Sequence, residues 1–591
     1  MSDLTARARG NPPATGPSSR DMGPLPLVVG VTGHRDLVAA DVTRIEPALH
    51  SLFTCLRHQY PHTPLRLLSP LAEGADRLVA KVAMEHGAEL VVPLPMPEAE
   101  YCKDFPETLS EFDALKARAS IVYTLPQPVE ATESDTGLSG SRRDECYENV
   151  GLHIVKHAQL IVALWDGVTT ADRGGTAQIV GYALSGSDYT SASHFAHGLG
   201  SGKAVWHLRT PRLNGTQDGD AVAQAYTAIW RFDDMRKREQ VFTAADGDWP
   251  KPQLEHLRSI EVFNTDALSL SPSRIQEDLD ALLPSGVNAK TVDPSERVIH
   301  TFIAADLISG RFQKTAYKLW KWIFLLAGVM ILGFQSYIHI WAHSLLLLLY
   351  PAAFIAMTVA YSVLNRRRLD DRLIDARILA EALRVVIYWR LAGIQEDITD
   401  QYLGRHIAAI GWIPGALLGL LTLPLPDAGF AQRDGLRIAD QFWVDRQLRY
   451  YERQSLRQGK RVELYRRFAG LLYALTLVFS ICVAIYGVVV TKPSVLRDIL
   501  ILLMASGPPI AVLWIAYAEK QGWERHVREY KRNSALFARA HAQIEGFGKS
   551  QSLSAFPQIQ KLLVELGKEA ICENAEWAVL HRVKPPAIPL G

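Results

Sequence analysis

The sequence predicts an α/β domain built on a parallel sheet, followed by an all-α membrane domain with four transmembrane helices. Two patterns lead to this fold class. Between Leu25 and Arg212, short apolar runs alternate with helical patterns, and beyond residue 320 uncharged apolar segments of about twenty residues recur. A chain of 591 residues is too long for one hydrophobic core, so at least two domains are expected. The formal net charge of +1 gives no reason to expect a nucleic-acid partner.

Residues 1–24 are rich in Gly, Pro, Ser and Arg and lack an apolar core of signal-peptide length. This composition predicts a disordered tail. The five cysteines are scattered and form no CxxC pair, which argues against a disulfide framework or a zinc site and fits a reducing compartment.

Short apolar runs without polar alternation predict strands that are covered on both faces. Helical patterns lie between them, for example over Asp76–His86 and Thr176–Leu184, so the sheet should be parallel with helices on both sides. The domain is expected to span residues 25–215, with a linker or accessory segment over 216–300. The predicted strands are Leu25–Val31, Leu65–Ser69, Glu89–Leu94, Ser120–Leu125, Gln159–Leu164 and Ala204–Leu208.

Three turns at predicted carboxyl ends of strands carry residues suited to an anionic ligand, and ligands of open α/β sheets bind beyond those ends. Glycines admit a close backbone approach, and amides at helix N-termini attract phosphate. Arginines add charge-assisted hydrogen bonds, and aspartates can accept ribose hydroxyls. The candidate ligand-binding residues are Thr32, Gly33, His34 and Arg35 in the first turn, Gly74, Asp76 and Arg77 in the second, and Trp165, Asp166, Arg173, Gly174, Gly175 and Thr176 in the third.

Several familiar motifs are missing from the sequence. It contains no GxGxxG and no GxxxxGK[ST], so neither an ordinary dinucleotide-binding fold nor a P-loop is supported. It also contains no GxSxG, no HExxH and no acidic pair with catalytic spacing. We therefore assign no catalytic residue, no metal ligand and no cofactor other than a nucleotide-derived ligand.

The stretches "GVTGHRD", "SPLAEGADRLVAKVAMEHG" and "AQLIVALWDG" with the following "GGTAQIV" resemble the SLOG superfamily. That group includes DprA-like DNA-processing proteins, LOG-type cytokinin-activating enzymes and nucleotide-sensing domains of bacterial defence proteins and TRPM channels. The resemblance covers residues 25–215 and implies a Rossmann-like pocket for a nucleotide or a nucleotide-derived signal.

One departure from the LOG enzymes bears on activity. Those enzymes carry PGGxGTxxE, with the glutamate in their hydrolytic site, whereas residues 173–180 here read RGGTAQIV. Neither the turn nor the start of the following helix offers a glutamate to stabilise charge on a ribose. The pattern favours sensing over hydrolysis and leaves a membrane-tethered nucleotide-processing enzyme as the alternative.

Four segments are long enough to span a bilayer and contain no Asp, Glu, Lys or Arg. They are Trp322–Ile340, Ser344–Leu364, Phe468–Val490 and Ile499–Ala518. Lys and Arg crowd one flank of each span, so the positive-inside rule predicts cytoplasmic termini and a cytoplasmic segment between the second and third spans. The apolar stretch Ile407–Pro426 is broken by prolines and is predicted as a cytoplasmic or surface-lying helix, with a re-entrant segment as the alternative.

The membrane half reads as two paired-span units, residues 301–460 and 461–591, each with an Arg-rich helical pattern after its second span. A stripe on the first of these helices is expected to pack in a homo-oligomer. The stripe consists of Leu369, Leu373, Ala376, Ala380 and Leu383.

The stretches "RILAEALRVVIYWRLAG" and "WVDRQLRYYERQ", together with the paired spans, resemble the two-span SLATT family, named for its association with SMODS and SLOG proteins. This resemblance implies an antiviral defence effector of the bacterial inner membrane, which senses a nucleotide signal and permeabilises the bilayer by pore formation. A non-catalytic membrane scaffold is the second alternative.

Overall fold

The structure is a computed structural model. It describes residues 23–127, 140–169, 173–185, 203–212, 226–233, 239–243, 250–251, 254–282, 292, 296–402, 406, 409–423, 432–489, 494–549 and 555–583. Nearly all of the predicted tail therefore lies outside the described residues.

The chain divides into two compact units. The α/β unit comprises Met1–Glu277, Val292–Ala304 and Asp397–Pro426. The helical unit comprises Asp278–Thr291, Ala305–Glu396 and Asp427–Gly591.

An eight-stranded sheet forms the centre of the α/β unit, in the order β4-β3-β2-β1-β5-β6-β7-β8. Strands β1 to β6 are parallel, whereas β7 and β8 are antiparallel additions at one edge. The sheet is thus mixed but mostly parallel. The strands are β1 Leu27–Gly33, β2 Leu65–Leu68, β3 Glu89–Leu94, β4 Ile121–Thr124, β5 Leu160–Trp165, β6 Ala204–Arg209, β7 Ala228–Asp233 and β8 Glu239–Thr243.

The predicted α/β fold is confirmed, and all six predicted strands are present within a few residues of their expected bounds. The central strands are buried along most or all of their length because helices cover both faces of the sheet. The two antiparallel strands lie beyond residue 215, in the segment predicted as a linker or accessory region. In β7, Trp230 and Phe232 are buried and alternate with the polar Arg231, which is typical of a strand at the side of a sheet.

Helices connect the strands, and two more helices follow the last strand before the first of the long helices. They are α1 Val42–Gln59, α2 Ala75–Glu85, α3 Glu98–Tyr101, α4 Leu109–Lys116, α5 Ser141–His157, α6 Thr176–Ser185, α7 Glu255–Leu268 and α8 Pro272–Leu282. The last few residues of α8 belong to the helical unit.

The apolar stretch predicted as a cytoplasmic or surface-lying helix is part of the α/β unit. Its helix α12, Ile413–Leu420, is buried at the edge where the parallel strands begin. Gln159 donates to the Gly415 carbonyl at 3.0 Å and accepts the Val28 amide at 2.5 Å, so one side chain ties α12 to β1. The stretch is apolar because it completes a soluble core, a role that neither the surface-lying nor the re-entrant interpretation anticipated.

The helical unit consists largely of long helices, and four of them carry the predicted spans. The helices are α9 Arg297–His339, which begins in the α/β unit, α10 Ser344–Arg366, α11 Leu369–Leu391, α13 Gln432–Ala439, α14 Asp445–Val489, α15 Val495–Gln521, α16 Trp523–Lys549 and α17 Ala555–Val583. Among the described residues, four helical stretches are long and apolar enough to cross a membrane, and each contains all or most of one predicted span. The prediction of four helices long and apolar enough to span a membrane is confirmed.

Small residues bring α14 and α15 together. A Cβ on Gly507 would overlap the hydroxyl of Thr476, so only glycine permits this approach. Small residues allow close packing of membrane helices in this way. Pro508 and Pro509 follow directly and lie inside the unbroken helix α15.

The apolar stripe on α11, Leu369 to Leu383, is buried within the chain itself. Helix α17 covers α11: the indole of Trp389 donates to the Leu563 carbonyl at 3.1 Å, and Asn574 donates to the Arg377 carbonyl at 3.3 Å. The stripe is thus removed from water within a single chain, and the homo-oligomer stays a prediction.

Candidate functional site

The candidate site lies where the strand order reverses. From β1 the chain proceeds outward through β2, β3 and β4, then returns to place β5 on the other side of β1 and β6 beyond it. The crevice outside the carboxyl ends of β1 and β5 is the topological switch point, where ligands of such sheets bind. Residues 32–35 follow β1 and residues 165–167 follow β5, so the first and third predicted turns meet at this crevice.

The second turn packs directly against the first. The Ala75 amide donates to the His34 carbonyl at 3.0 Å. Gly74 adopts φ +74°, and a Cβ there would lie 2.6 Å from the His34 carbonyl oxygen. A Cβ on Gly33 would overlap that of Ala75. Both glycines are therefore required for the contact between the two turns, and this contact places the N-terminus of α2 beside the end of β1.

His34 links the first turn to the third. Its Nε2 accepts the Asp166 amide at 3.0 Å, and its Nδ1 lies 3.0 Å from Nε of Arg212. The ring is 2% exposed, and burial lowers the pKa of His34 despite the neighbouring Asp166 carboxylate. Because burial disfavours the charged ring, His34 stabilises the crevice through these contacts rather than presenting charge to a ligand.

Asp76 is buried in the first turn of α2. The Ala72 amide donates to its Oδ2 at 3.3 Å. Burial raises the pKa of Asp76 to about 7, against the opposing effects of this hydrogen bond and of the Arg35 and Arg77 charges. The raised pKa favours the protonated carboxyl group, which can donate as well as accept a hydrogen bond.

Tyr101 lies in the same buried region. Its side chain is fully buried, and its hydroxyl has no hydrogen-bond partner among the described residues. Burial, reinforced by the Asp76 carboxylate, raises the pKa of Tyr101 well above its usual range. A neutral hydroxyl without a partner leaves unused hydrogen-bonding capacity beside Asp76, since buried polar groups are normally paired.

The three candidate arginines have different surroundings. Arg35 is exposed, and its guanidinium lies over the ring of Tyr147, 4.5 Å from the centroid. The Tyr147 hydroxyl in turn donates to Asp104, which Arg143 also binds at 2.6 Å. Arg35 is therefore held in place by an aromatic face and keeps hydrogen-bonding capacity toward solvent.

Arg77 points into the protein instead. Its Nε donates to the Leu71 carbonyl at 3.0 Å, and its Nη1 donates to the Thr108 carbonyl and to Glu111. Leu71 adopts φ +58°, a strained conformation for a residue with a side chain, which these bonds help to hold. With 1% exposure, Arg77 stabilises the second turn, and the structure does not bring it to the surface of the crevice.

Arg173 is exposed but paired. Its Nε donates to Glu148 at 2.6 Å. The adjacent Gly174 adopts φ +74°, and its amide donates to the Gln178 side chain at 2.6 Å. Because a Cβ on Gly174 would lie 2.9 Å from the Glu148 amide, this glycine allows the turn to pack against α5.

Sequence reasoning missed Glu148. This residue of α5 places a carboxylate against the turn that lacks one of its own, where it also accepts Gln178 at 3.0 Å and the Tyr182 hydroxyl at 2.7 Å. Burial works to raise the pKa of Glu148, but these donors outweigh it and hold the pKa below its ordinary value. Gln178 and Tyr182, spaced i, i+4 on an otherwise apolar helix, were the available signal of a buried polar partner.

The remaining candidate residues shape the turns of the crevice and supply backbone amides. Trp165 is buried, and its indole donates to the Val168 carbonyl at 3.1 Å. Asp166 accepts the Val168 amide at 2.9 Å, which closes the turn after β5. Gly175 and Thr176 open α6, whose first-turn amides, like those of α2, lack acceptors within the helix. Such amides can bind an anion.

Within the described residues no group of three or more His, Cys, Asp or Glu side chains could hold a metal ion. Comparisons with protein-family models, curated proteins and solved structures found no match.

Proposed function

We propose that this protein is a ligand-responsive membrane protein whose α/β unit binds a nucleotide-derived anion at the crevice between β1 and β5. The single observation that carries the proposal is the strand order, which places residues 32–35 and 165–167 together at a topological switch point. The resemblance to the SLOG superfamily, made from the same residues, favours a nucleotide-derived ligand over other anions.

The chemistry of the crevice supports an anionic ligand with hydroxyl groups. Arg35 offers a cation, and the first turns of α2 and α6 offer backbone amides to a phosphate. Asp166 is 19% exposed, so its carboxylate can accept from a ribose hydroxyl. Asp76 and Tyr101 offer buried hydrogen-bonding capacity one strand away.

We further propose that ligand binding permeabilises the membrane, as the resemblance to the SLATT family implies, and that the protein acts as a defence effector in a bacterial inner membrane. The course of the chain supports a cytoplasmic α/β unit. Residues 397–426, between the second and third spans, fold into that unit, so they must lie on the same side of the membrane as the sheet. The positive-inside rule places that side in the cytoplasm.

Glu148 supports a second candidate, a nucleotide-processing enzyme, because it supplies a carboxylate at the turn where LOG-type enzymes carry theirs. Its two oxygens already accept three side-chain donors, Arg173, Gln178 and Tyr182. Sensing therefore remains the leading proposal, and a carboxylate bound in this way acts as a structural link between α5 and α6. Chromatography of nucleotides incubated with wild-type protein and with Glu148→Gln separates the two: conversion by the wild type alone would favour the enzyme.

Binding is tested on the full chain in detergent, by thermal shift against mono-, di- and cyclic nucleotides and ADP-ribose derivatives. We expect at least one nucleotide to raise the melting temperature. Gly175→Glu, which places a carboxylate in the turn, and Arg35→Ala should each weaken its binding at least tenfold, since a charge-assisted hydrogen bond contributes about 1.5–3 kcal/mol.

The matched control is Arg118→Ala, which removes an exposed arginine just before β4. This arginine lies where the parallel strands begin, whereas the crevice lies beyond their carboxyl ends. If no nucleotide stabilises the protein, or if Gly175→Glu binds as tightly as the wild type, the proposed site is wrong and a non-catalytic scaffold becomes the better account.

A further inference from the structure

A cavity of about 880 Å³ lies inside the helical unit, lined mainly by α9, α14, α15 and the start of α16. Its volume is within the range of small-molecule and cofactor sites. None of its lining residues belongs to the α/β unit, so it is distinct from the crevice described above.

One end of the cavity is apolar and about as long as one lipid leaflet is thick. Its walls include Phe324, Gly328 and Leu332 on α9, Phe468 on α14, and Leu513 on α15. On α9, the lining residues from Lys321 to Leu332 cover about 16 Å at 1.5 Å per residue, which is about half of a 30 Å hydrocarbon core. On α15, the lining residues from Ile510 to Gln521 cover the same length of about 16 Å.

The other end of the cavity is cationic. Lys318, Lys321 and Arg461 line it just before the first and third spans, and no Asp or Glu is among the lining residues. In the described part of the chain none of the three forms an ion pair, and Arg461 has only a 3.5 Å contact with Gln458. Arg466, one turn beyond Arg461, is by contrast paired with Glu524 at 2.8 Å.

Inside the cavity, a buried hydrogen-bond donor is also unused. The indole N–H of Trp514 has no partner among the described residues. A hydrocarbon chain alone would leave this donor unsatisfied, whereas an ester oxygen could accept it. An apolar pocket one leaflet deep, with three unpaired cations at its mouth and a donor on its wall, complements an anionic amphiphile.

We propose that this cavity binds an acidic glycerophospholipid. Its phosphate contacts Lys318, Lys321 and Arg461, and an acyl chain extends along Gly328 toward Leu332. A second copy of the chain is a poorer occupant, because it would have to bring its own carboxylates to the three cations. A zwitterionic lipid is also poorer, since its own cation would lie among them.

The first test measures which lipid the full chain retains. The protein is purified in a nonionic detergent, co-purifying lipids are identified by mass spectrometry, and phosphatidylglycerol and phosphatidylcholine with identical chains are titrated separately. We expect about one acidic phospholipid per chain, and at least tenfold tighter binding of phosphatidylglycerol. Equal affinities would overturn the proposal. Displacement by sn-glycerol 3-phosphate would also overturn it, because that result would indicate a site for a free phosphate.

The second test uses two pairs of variants. Lys318→Ala, Lys321→Ala and Arg461→Ala together should weaken phosphatidylglycerol binding about a hundredfold, at about fivefold per basic residue near an acidic lipid. The control triple variant, Lys314→Ala, Arg366→Ala and Lys460→Ala, removes the same charge from exposed positions that do not line the cavity and should bind like the wild type.

Gly328→Phe fills the proposed chain position, whereas Gly470→Phe adds the same ring where no atom lies within 4 Å of the new Cβ. Only Gly328→Phe should release the lipid. Circular dichroism and gel filtration check that each variant is folded. Retention of phosphatidylglycerol by folded Gly328→Phe, or equal loss in the two triple variants, would show a surface charge effect and refute the site.

Discussion

Asp76→Asn tests whether a buried carboxyl group beside the crevice titrates near neutral pH. Burial raises the pKa of Asp76 from 3.8 to about 7. A group whose pKa is higher in the folded state adds stability at low pH, and this contribution is lost as pH rises toward the folded pKa. Wild-type protein should therefore lose stability between pH 4 and 7 through this group. The asparagine variant lacks this pH-dependent contribution to the free energy of unfolding.

The expected size follows from the two pKa values. Between pH 5 and pH 8 the carboxyl group loses about 2.5 kcal/mol of its contribution, at 1.36 kcal/mol per pKa unit. A change of 1 kcal/mol shifts the melting temperature of a domain of 150–250 residues by about 2–4 °C. The melting-temperature difference between Asp76→Asn and wild type should thus change by about 5–10 °C across this range, in favour of the variant at pH 8.

The assay is differential scanning fluorimetry of the full chain in detergent, in matched buffers from pH 5 to pH 8. Taking the difference from the wild type at each pH removes the titration of all other groups. Glu107→Gln, which removes an exposed carboxylate, is the control for the loss of one negative charge. A pH-independent difference for Asp76→Asn would refute the reasoning, because Asp76 would then have an ordinary pKa.

The remaining predictions concern three other features. Arg77→Lys should lose at least the bond to the Leu71 carbonyl and destabilise the protein by about 1–3 kcal/mol, yet leave nucleotide affinity unchanged; a loss of affinity at an unchanged melting temperature would make Arg77 a ligand contact. Gly419→Leu should lower the melting temperature by several degrees, because a Cβ there overlaps the Gln159 side chain, and an unchanged melting temperature would contradict the packing of α12 on the sheet. A cysteine at His343 should react with an impermeant maleimide from outside intact cells, and one at Arg457 should not, with the parent chain as control for native cysteines; outside labelling at Arg457 would contradict the proposed topology.

The sequence was sufficient to predict the strands and helices that short stretches of residues specify by themselves. Buried parallel strands are continuous apolar runs, so β1 to β6 could be predicted. Uncharged apolar segments of about twenty residues likewise predicted the four helices that are long and apolar enough to cross a membrane. Strands β7 and β8 were missed because alternating, partly polar strands give weaker signals. The burial of α12 against the sheet was not predicted, because it depends on Gln159, more than 250 residues earlier in the chain.

At the candidate site, the sequence did not predict which way each side chain points. Sequence placed Arg35, Arg77 and Arg173 next to glycine-containing turns, and all three turns are where strands end. Whether each guanidinium faces solvent, the interior or a carboxylate depends on partners from other elements, namely Tyr147, Glu111 and Glu148. For the same reason Glu148 could not be found by searching the glycine turn itself for a glutamate.

The most direct test of the proposed function is dye release from liposomes that contain the full chain. The nucleotide that most raises the melting temperature is added at saturating concentration to vesicles loaded with carboxyfluorescein. We expect rapid release from vesicles with wild-type protein or Arg118→Ala, and release near the protein-free level with Arg35→Ala or Gly175→Glu. Saturation of the wild type with nucleotide without any release of dye would contradict the claim that occupancy of the crevice permeabilises the membrane.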